Sequence, residues 1–135
     1  LEDNQIHHNR QAGIAVENGV GFKVFRNDIR NNAHGILLWN RSYEFLKSVP
    51  NMNPTSSDWQ IERNTLMQNR KGIRIAANQD HGVRTLLEEG LSPHGHVIHN
   101  NEIRENVVGI ELENVKDTQM NQNTSKNLIA DLEEK

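Results

Sequence analysis

Short apolar positions alternate with asparagines at fixed separations along the chain, and the pattern repeats. Gly-Ile occurs at Gly13-Ile14, Gly35-Ile36, Gly72-Ile73 and Gly109-Ile110, at spacings of 22, 37 and 37 residues. Two residues beyond each Ile stands a second apolar side chain: Val16, Leu38, Ile75 and Leu112. In the last three copies four more columns align ahead of the glycine. They are Val24, Ile61 and Ile98; then Asn27, Asn64 and Asn101; then Ile29, Leu66 and Ile103; then Asn32, Asn69 and Asn106. The first copy has the same order one residue earlier, at Leu1, Asn4, Ile6 and Asn9, with one extra residue between Asn9 and Gly13. Met120 and Asn123 open a further copy, after which the pattern stops.

The Ile-x-apolar pairs have the period of two that places both side chains on one face of a strand. Each copy therefore holds three short strands separated by asparagine-bearing bends. No hairpin turn links a strand to its neighbour, so successive copies must pair in parallel, coil on coil, rising about 4.8 Å per coil. Asparagine suits this role twice over: it tolerates the left-handed conformation of sharp bends, and stacked amides can hydrogen-bond along the column as a ladder. Glycine ahead of the third strand fits a bend where a side chain would clash. A leucine-rich repeat is excluded because its Leu-x-x-Leu-x-Leu pattern is missing, and helical repeats because a 3.6-residue period is absent. The pattern predicts an all-β solenoid of about five coils over residues 1–124.

The bare coil is 22 residues, so each 37-residue spacing contains about 15 extra residues. These fall at about 41–58 and 79–95, both after the glycine strand, so two long loops should leave the same side of the solenoid. The tail, 125–135, reads as a helix with Leu128, Ile129 and Leu132 on one face, expected to cap the open apolar column. Leu1 is already a column residue, which suggests a fragment of a longer chain whose open end could pair with another copy.

Composition narrows the function. Hydrophobic residues make up 34% and aromatics 4%, too few for a wide globular core but enough for a thin repetitive one. A net charge of −3 without a basic cluster argues against nucleic acid as the main partner. There are no cysteines, which excludes disulfides, thiolate metal sites and cysteine nucleophiles. No apolar run is long enough to span a bilayer.

The runs from Asn64 to Ile75 and from Asn101 to Leu112 resemble the repeats of right-handed parallel β-helix proteins. This pectate-lyase-like superfamily includes NosD-type carbohydrate-binding and sugar-hydrolysis domains. The resemblance covers roughly residues 1–123 and rests on structural positions, so it speaks to architecture more than to activity. It implies an extracellular or periplasmic protein that binds or processes polysaccharides, acidic glycans above all. An active member would be a polysaccharide lyase, glycoside hydrolase or epimerase. The alternative is a non-catalytic structural or adhesive solenoid, or an assembly segment.

Alternation places Glu2, Phe25, Glu62 and His99 in one outward column of the first strand. In the superfamily's lyases the sugar groove lies on such a face under long loops. The resemblance therefore makes Glu62 and His99 the candidate acid/base pair, with Lys23, Tyr43 and Arg84 as candidate substrate contacts. The ordinary alternative is a solvated strand face. His94, His96 and His99 do not form a convincing metal set, because His96 should lie inward or at a corner and His99 outward. The aspartates are too scattered for an evident calcium cluster, so no cofactor is assigned. On the glycine strand, Trp39 faces outward and is expected to be covered by the first insertion.

Overall fold

The computed structural model describes residues 1–40, 55–77 and 92–135. They form three parallel sheets, visited in turn by each of five coils. The first sheet contains β3 (Lys23–Phe25), β6 (Gln60–Glu62), β9 (Val97–His99) and β12 (Gln119–Asn121). Glu2 of the first coil bridges to Phe25 at its edge. The second sheet contains β1 (Gln5–His7), β4 (Asp28–Arg30), β7 (Thr65–Met67), β10 (Glu102–Arg104) and β13 (Thr124–Lys126). The third sheet has the longer strands: β2 (Ala12–Glu17), β5 (His34–Trp39), β8 (Lys71–Ala76), β11 (Val108–Glu113) and β14 (Ala130–Glu134). No helix among the described residues is long and apolar enough to cross a membrane.

The pairing register reproduces the sequence columns. Val24 lies opposite Ile61 and Ile61 opposite Ile98; Ile29, Leu66 and Ile103 align likewise. Ile14, Ile36, Ile73, Ile110 and Leu132 form a third column. These inward side chains make one narrow core in which Ile36, Ile61, Leu66, Ile73, Ile98 and Ile103 are inaccessible to solvent. Burying them is the main favourable term, and coil-to-coil pairing satisfies the backbone that accompanies them into the interior.

Two asparagine ladders run along the corners. Asn4, Asn27, Asn64, Asn101 and Asn123 form one, with each Nδ2 donating to the Oδ1 of the next coil at 3.0–3.1 Å. Asn9, Asn32, Asn69, Asn106 and Asn127 form the other, at 2.9–3.1 Å. Each Oδ1 also accepts the backbone N–H of the asparagine one coil earlier, as Asn64 Oδ1 does from Asn27. The left-handed conformation at these bends belongs to the residue before each ladder asparagine except Asn127. Asp3, Arg26, Arg63, Asn100 and Gln122, and likewise His8, Asn31, Gln68 and Glu105, have φ between 53° and 59°. Such side chains are costly in that conformation, about 1–2 kcal/mol each, and the ladder hydrogen bonds offset the cost.

The glycine column answers to contact. A Cβ on Gly72 would lie 2.6 Å from the Gly109 carbonyl oxygen, and one on Gly109 would lie 2.6 Å from the Asp131 carbonyl oxygen. Neighbouring coils could not keep their spacing with any side chain at these positions.

The expected capping helix over 125–135 is not formed. The tail makes a fifth full turn of the solenoid: β13 pairs with β10, and β14 pairs with β11. Leu128 and Ile129, which suggested one face of a helix, are 73% and 75% exposed at the corner, while Leu132 alone extends the core column. The free edge of β11 and the open end of the ladder at Asn106 offer hydrogen-bond partners that a helix would leave unused.

Both insertions join the solenoid at one corner, as expected. The Asn40 backbone N–H donates to the Ala76 carbonyl and that of Ala77 to the Glu113 carbonyl, so the two exit points stack. Ser57 bridges to His94, so the two return points stack as well.

Candidate functional site

The outward column of the first sheet is formed as the alternation requires. Glu2 lies opposite Phe25, Phe25 opposite Glu62, and Glu62 opposite His99. His99 Nε2 is 3.3 Å from Glu62 Oε2, and both side chains are about one-quarter to one-third exposed. Arg63 Nε lies 3.6 Å from the other carboxylate oxygen, Glu62 Oε1. The Arg26 guanidinium sits 4.5 Å from the Phe25 ring centroid and also pairs with Asp3 at 3.0 Å. A groove of about 450 Å³ runs beside this column, lined by Leu1, Glu2, Lys23, Phe25, Gln60 and Glu62.

The structure thus brings Glu62 and His99 into contact and puts Lys23 on the wall of the adjoining groove. Tyr43 and Arg84 lie outside the described residues, as does most of both insertions. Trp39 is half-buried on the outer face of the third sheet, opposite Ala76. At 3.3 Å, Glu62 and His99 leave no room for a substrate atom between them. They cannot flank a glycosidic bond as two catalytic groups of a hydrolase do, about 5–9.5 Å apart. The arrangement can instead hold one imidazole in a fixed orientation, its Nε2 engaged by the carboxylate and its Nδ1 left for other contacts.

A second polar cluster lies on the outer face of the third sheet. Lys71 Nζ is 2.6 Å from Glu111 Oε2, Arg74 Nε is 2.8 Å from Glu111 Oε1, and Lys135 Nζ reaches the same carboxylate at 3.4 Å. Arg74 also binds Glu113 at 2.7 Å. Arg74 and Glu111 are almost fully buried. Burial alone would raise the Glu111 pKa, but the hydrogen bond and charge of Lys71, with Arg74 and Lys135, hold it down at about 2. His34, opposite Lys71, is pushed down to about 4 by burial and by the nearby Lys71 and Arg74 charges. Alternation in the sequence places Arg74 and Glu111 outward, where they read as ordinary surface residues. The signal that marks them is opposite charge at matching positions one coil apart.

His96 is fully buried, in the interior column of Trp59, and its Nδ1 accepts the Trp59 backbone N–H at 3.3 Å. Burial lowers its pKa to about 4, against the opposing pull of the Asp58 charge. With His96 inside and His99 outside, the histidine run does not converge on a metal ion. No group of three or more His, Asp or Glu side chains among the described residues could hold one.

Residues 1–49 match the family model described as the right handed beta helix region. The fold is a right-handed parallel β-helix. The matched stretch covers the first two coils, and the three that follow repeat their register strand for strand. No curated protein and no solved structure matches the chain.

Proposed function

We propose that this β-helix binds oligosaccharides along the outer face of its first sheet, acidic glycans in preference to neutral ones. The observation that carries the reading is the Glu62–His99 pair standing at the end of a groove walled by Lys23, Gln60 and Phe25. Phe25 offers an apolar ring to a sugar face, Gln60 an amide to hydroxyls, and Lys23 a cation to a uronate carboxylate. If the site is catalytic, His99 oriented by Glu62 suits abstraction of a proton next to a carboxylate, the chemistry of a lyase or epimerase, better than glycoside hydrolysis. Glycans of this kind place the protein's work outside the cell or in the periplasm.

A non-catalytic adhesive or structural solenoid is the second reading. Its support is that both Glu62 oxygens already have partners, His99 and Arg63, as expected of a self-contained surface pair. Calorimetric titration with uronic-acid oligomers and matched neutral oligomers tests the first reading. Uronic-acid oligomers should bind the wild type more tightly than neutral ones, and Lys23→Ala should erase that difference. Equal, negligible heats for both ligands would reject the oligosaccharide reading.

A further inference from the structure

The bend that follows β1 carries two consecutive histidines, His7 and His8. Along a regular strand consecutive side chains point to opposite faces. Here His8 has φ of 59°, and this left-handed residue brings its ring against that of His7. The rings stand edge to face with centroids 5.0 Å apart, and His7 Nδ1 lies 2.8 Å from His8 Nδ1. Both side chains are exposed. In the next three coils the same two positions hold Arg30-Asn31, Met67-Gln68 and Arg104-Glu105, so the pairing of imidazoles belongs to this bend and not to the repeat.

The backbone beneath the two rings is pinned to the following coil at three successive residues. His7 lies opposite Arg30 in the β1–β4 register, and the His8 N–H donates to the Arg30 carbonyl at 3.3 Å. Asn9 donates its N–H and its Nδ2 to Asn32 Oδ1 at 3.0 and 2.9 Å. A ligand that joins the two rings therefore has little backbone entropy left to remove. The rings border a hollow with Gln5, Asp28, Arg30 and Asn31. Arg30 is paired with Asp28, which offsets its charge beside the histidines.

We propose that His7 and His8 chelate a divalent transition-metal ion of tetragonal preference, copper(II) or nickel(II), through their two Nδ1 atoms. Two metal–imidazole bonds of about 2.0–2.1 Å that meet at a right angle place their nitrogens about 2.8–3.0 Å apart, and at the tetrahedral angle about 3.3–3.4 Å apart. The observed 2.8 Å matches two adjacent positions of a square-planar ion and is too short for tetrahedral zinc. A hydrogen bond between the two Nδ1 atoms needs a hydrogen on one of them, whereas coordination needs both bare and a hydrogen on each Nε2. Exposed rings exchange these tautomers through solvent. No third His, Asp or Glu side chain among the described residues converges with the pair, so the remaining positions of the ion are open to water.

Calorimetric titration with copper(II) chloride, read alongside electron paramagnetic resonance, tests this. One equivalent should bind, with nitrogen hyperfine structure from two imidazoles. His7→Gln, and His8→Asn with a residue that suits the left-handed bend, should each lower the affinity at least tenfold. His94→Ala should leave it unchanged. A spectrum without two-imidazole coordination, an affinity unchanged in both His7→Gln and His8→Asn, or zinc(II) bound as tightly as copper(II) would overturn the proposal. If either variant loses its β-sheet circular dichroism, the wild type decides. Substoichiometric copper(II) should broaden the resonances of His7, His8 and their neighbours first, and broadening centred on other histidines would contradict the site.

Discussion

Arg74 Nε donates to Glu111 Oε1 across 2.8 Å, one coil apart on the outer face of the third sheet, and water is excluded from both side chains. Lys71 completes the carboxylate's shell at 2.6 Å. A buried pair of this kind contributes little net stability when intact, because desolvation opposes the attraction, but breaking it strands a charge. Glu111→Ala should therefore destabilise the protein by about 3–5 kcal/mol. The double variant Arg74→Met, Glu111→Leu should recover most of that loss. Chemical denaturation of the two proteins checks the expectation, and a double variant no more stable than the single one would count against it.

The ladder asparagines should matter more than the charges beside them. Asn69 donates to Asn106 Oδ1 and the Ile29 carbonyl, and its own Oδ1 accepts from Asn32, all out of solvent. Asn69→Ala leaves buried groups on both neighbouring coils without partners, so a loss of roughly 1–3 kcal/mol is expected. Arg70→Ala, on the exposed side of the same bend, should cost about 0.5 kcal/mol or less. Coincident urea midpoints would mean that the ladder contributes nothing.

Two glycines make a matched comparison of steric and conformational cost. Gly72→Ala places a Cβ 2.6 Å from the Gly109 carbonyl and should force the coils apart, costing roughly 1–3 kcal/mol or more. Gly21 has φ of 72°, and a Cβ there would meet no atom within 4 Å, so Gly21→Ala should cost only the left-handed backbone term, about 1–2 kcal/mol. Thermal melts that rank Gly21→Ala as the more damaging change would contradict the close-approach account.

Stability should fall with acid in two stages. His96 and His34 have pKa values near 4 in the folded chain against an ordinary 6.5, so the unfolded chain binds more protons between those values. Stability is full above about pH 6.5 and declines as pH drops toward 4. Glu111, held at about 2 against an ordinary 4.5, adds a second decline over that lower range. For fully buried His96 the first stage is worth on the order of 3 kcal/mol. Denaturation midpoints of the wild type and His96→Gln between pH 7 and 4 check this. The variant's profile should be flatter, and parallel profiles would assign the decline elsewhere.

Much of the coil architecture is legible in the sequence because its determinants repeat. Ile29, Leu66 and Ile103 share a column in sequence and in space, and so do Asn32, Asn69 and Asn106. The last coil escapes the pattern because Asp131 replaces the column glycine and one residue is inserted after Asn127. The first coil has the same kind of slip, between Asn9 and Gly13, but keeps its glycine and so stays recognisable. Leu128 and Ile129 offer a helical spacing that no core supports. The contact between Glu62 and His99 follows from alternation and register. The burial of Arg74 and Glu111 does not, because alternation tells which way a side chain points and says nothing of what covers it. His96 falls inward with Trp59, although Phe22 of the same column is exposed, and its lowered pKa depends on the packing around it.

The oligosaccharide reading is tested most directly by mapping amide chemical shifts during titration with uronic-acid oligomers. Perturbations should centre on Lys23, Phe25, Glu62 and His99 and extend to the loops that join the solenoid beyond Asn40 and Ala77. Perturbations confined to the outer face of the third sheet around Trp39 and Arg74, or none at millimolar ligand, would contradict it.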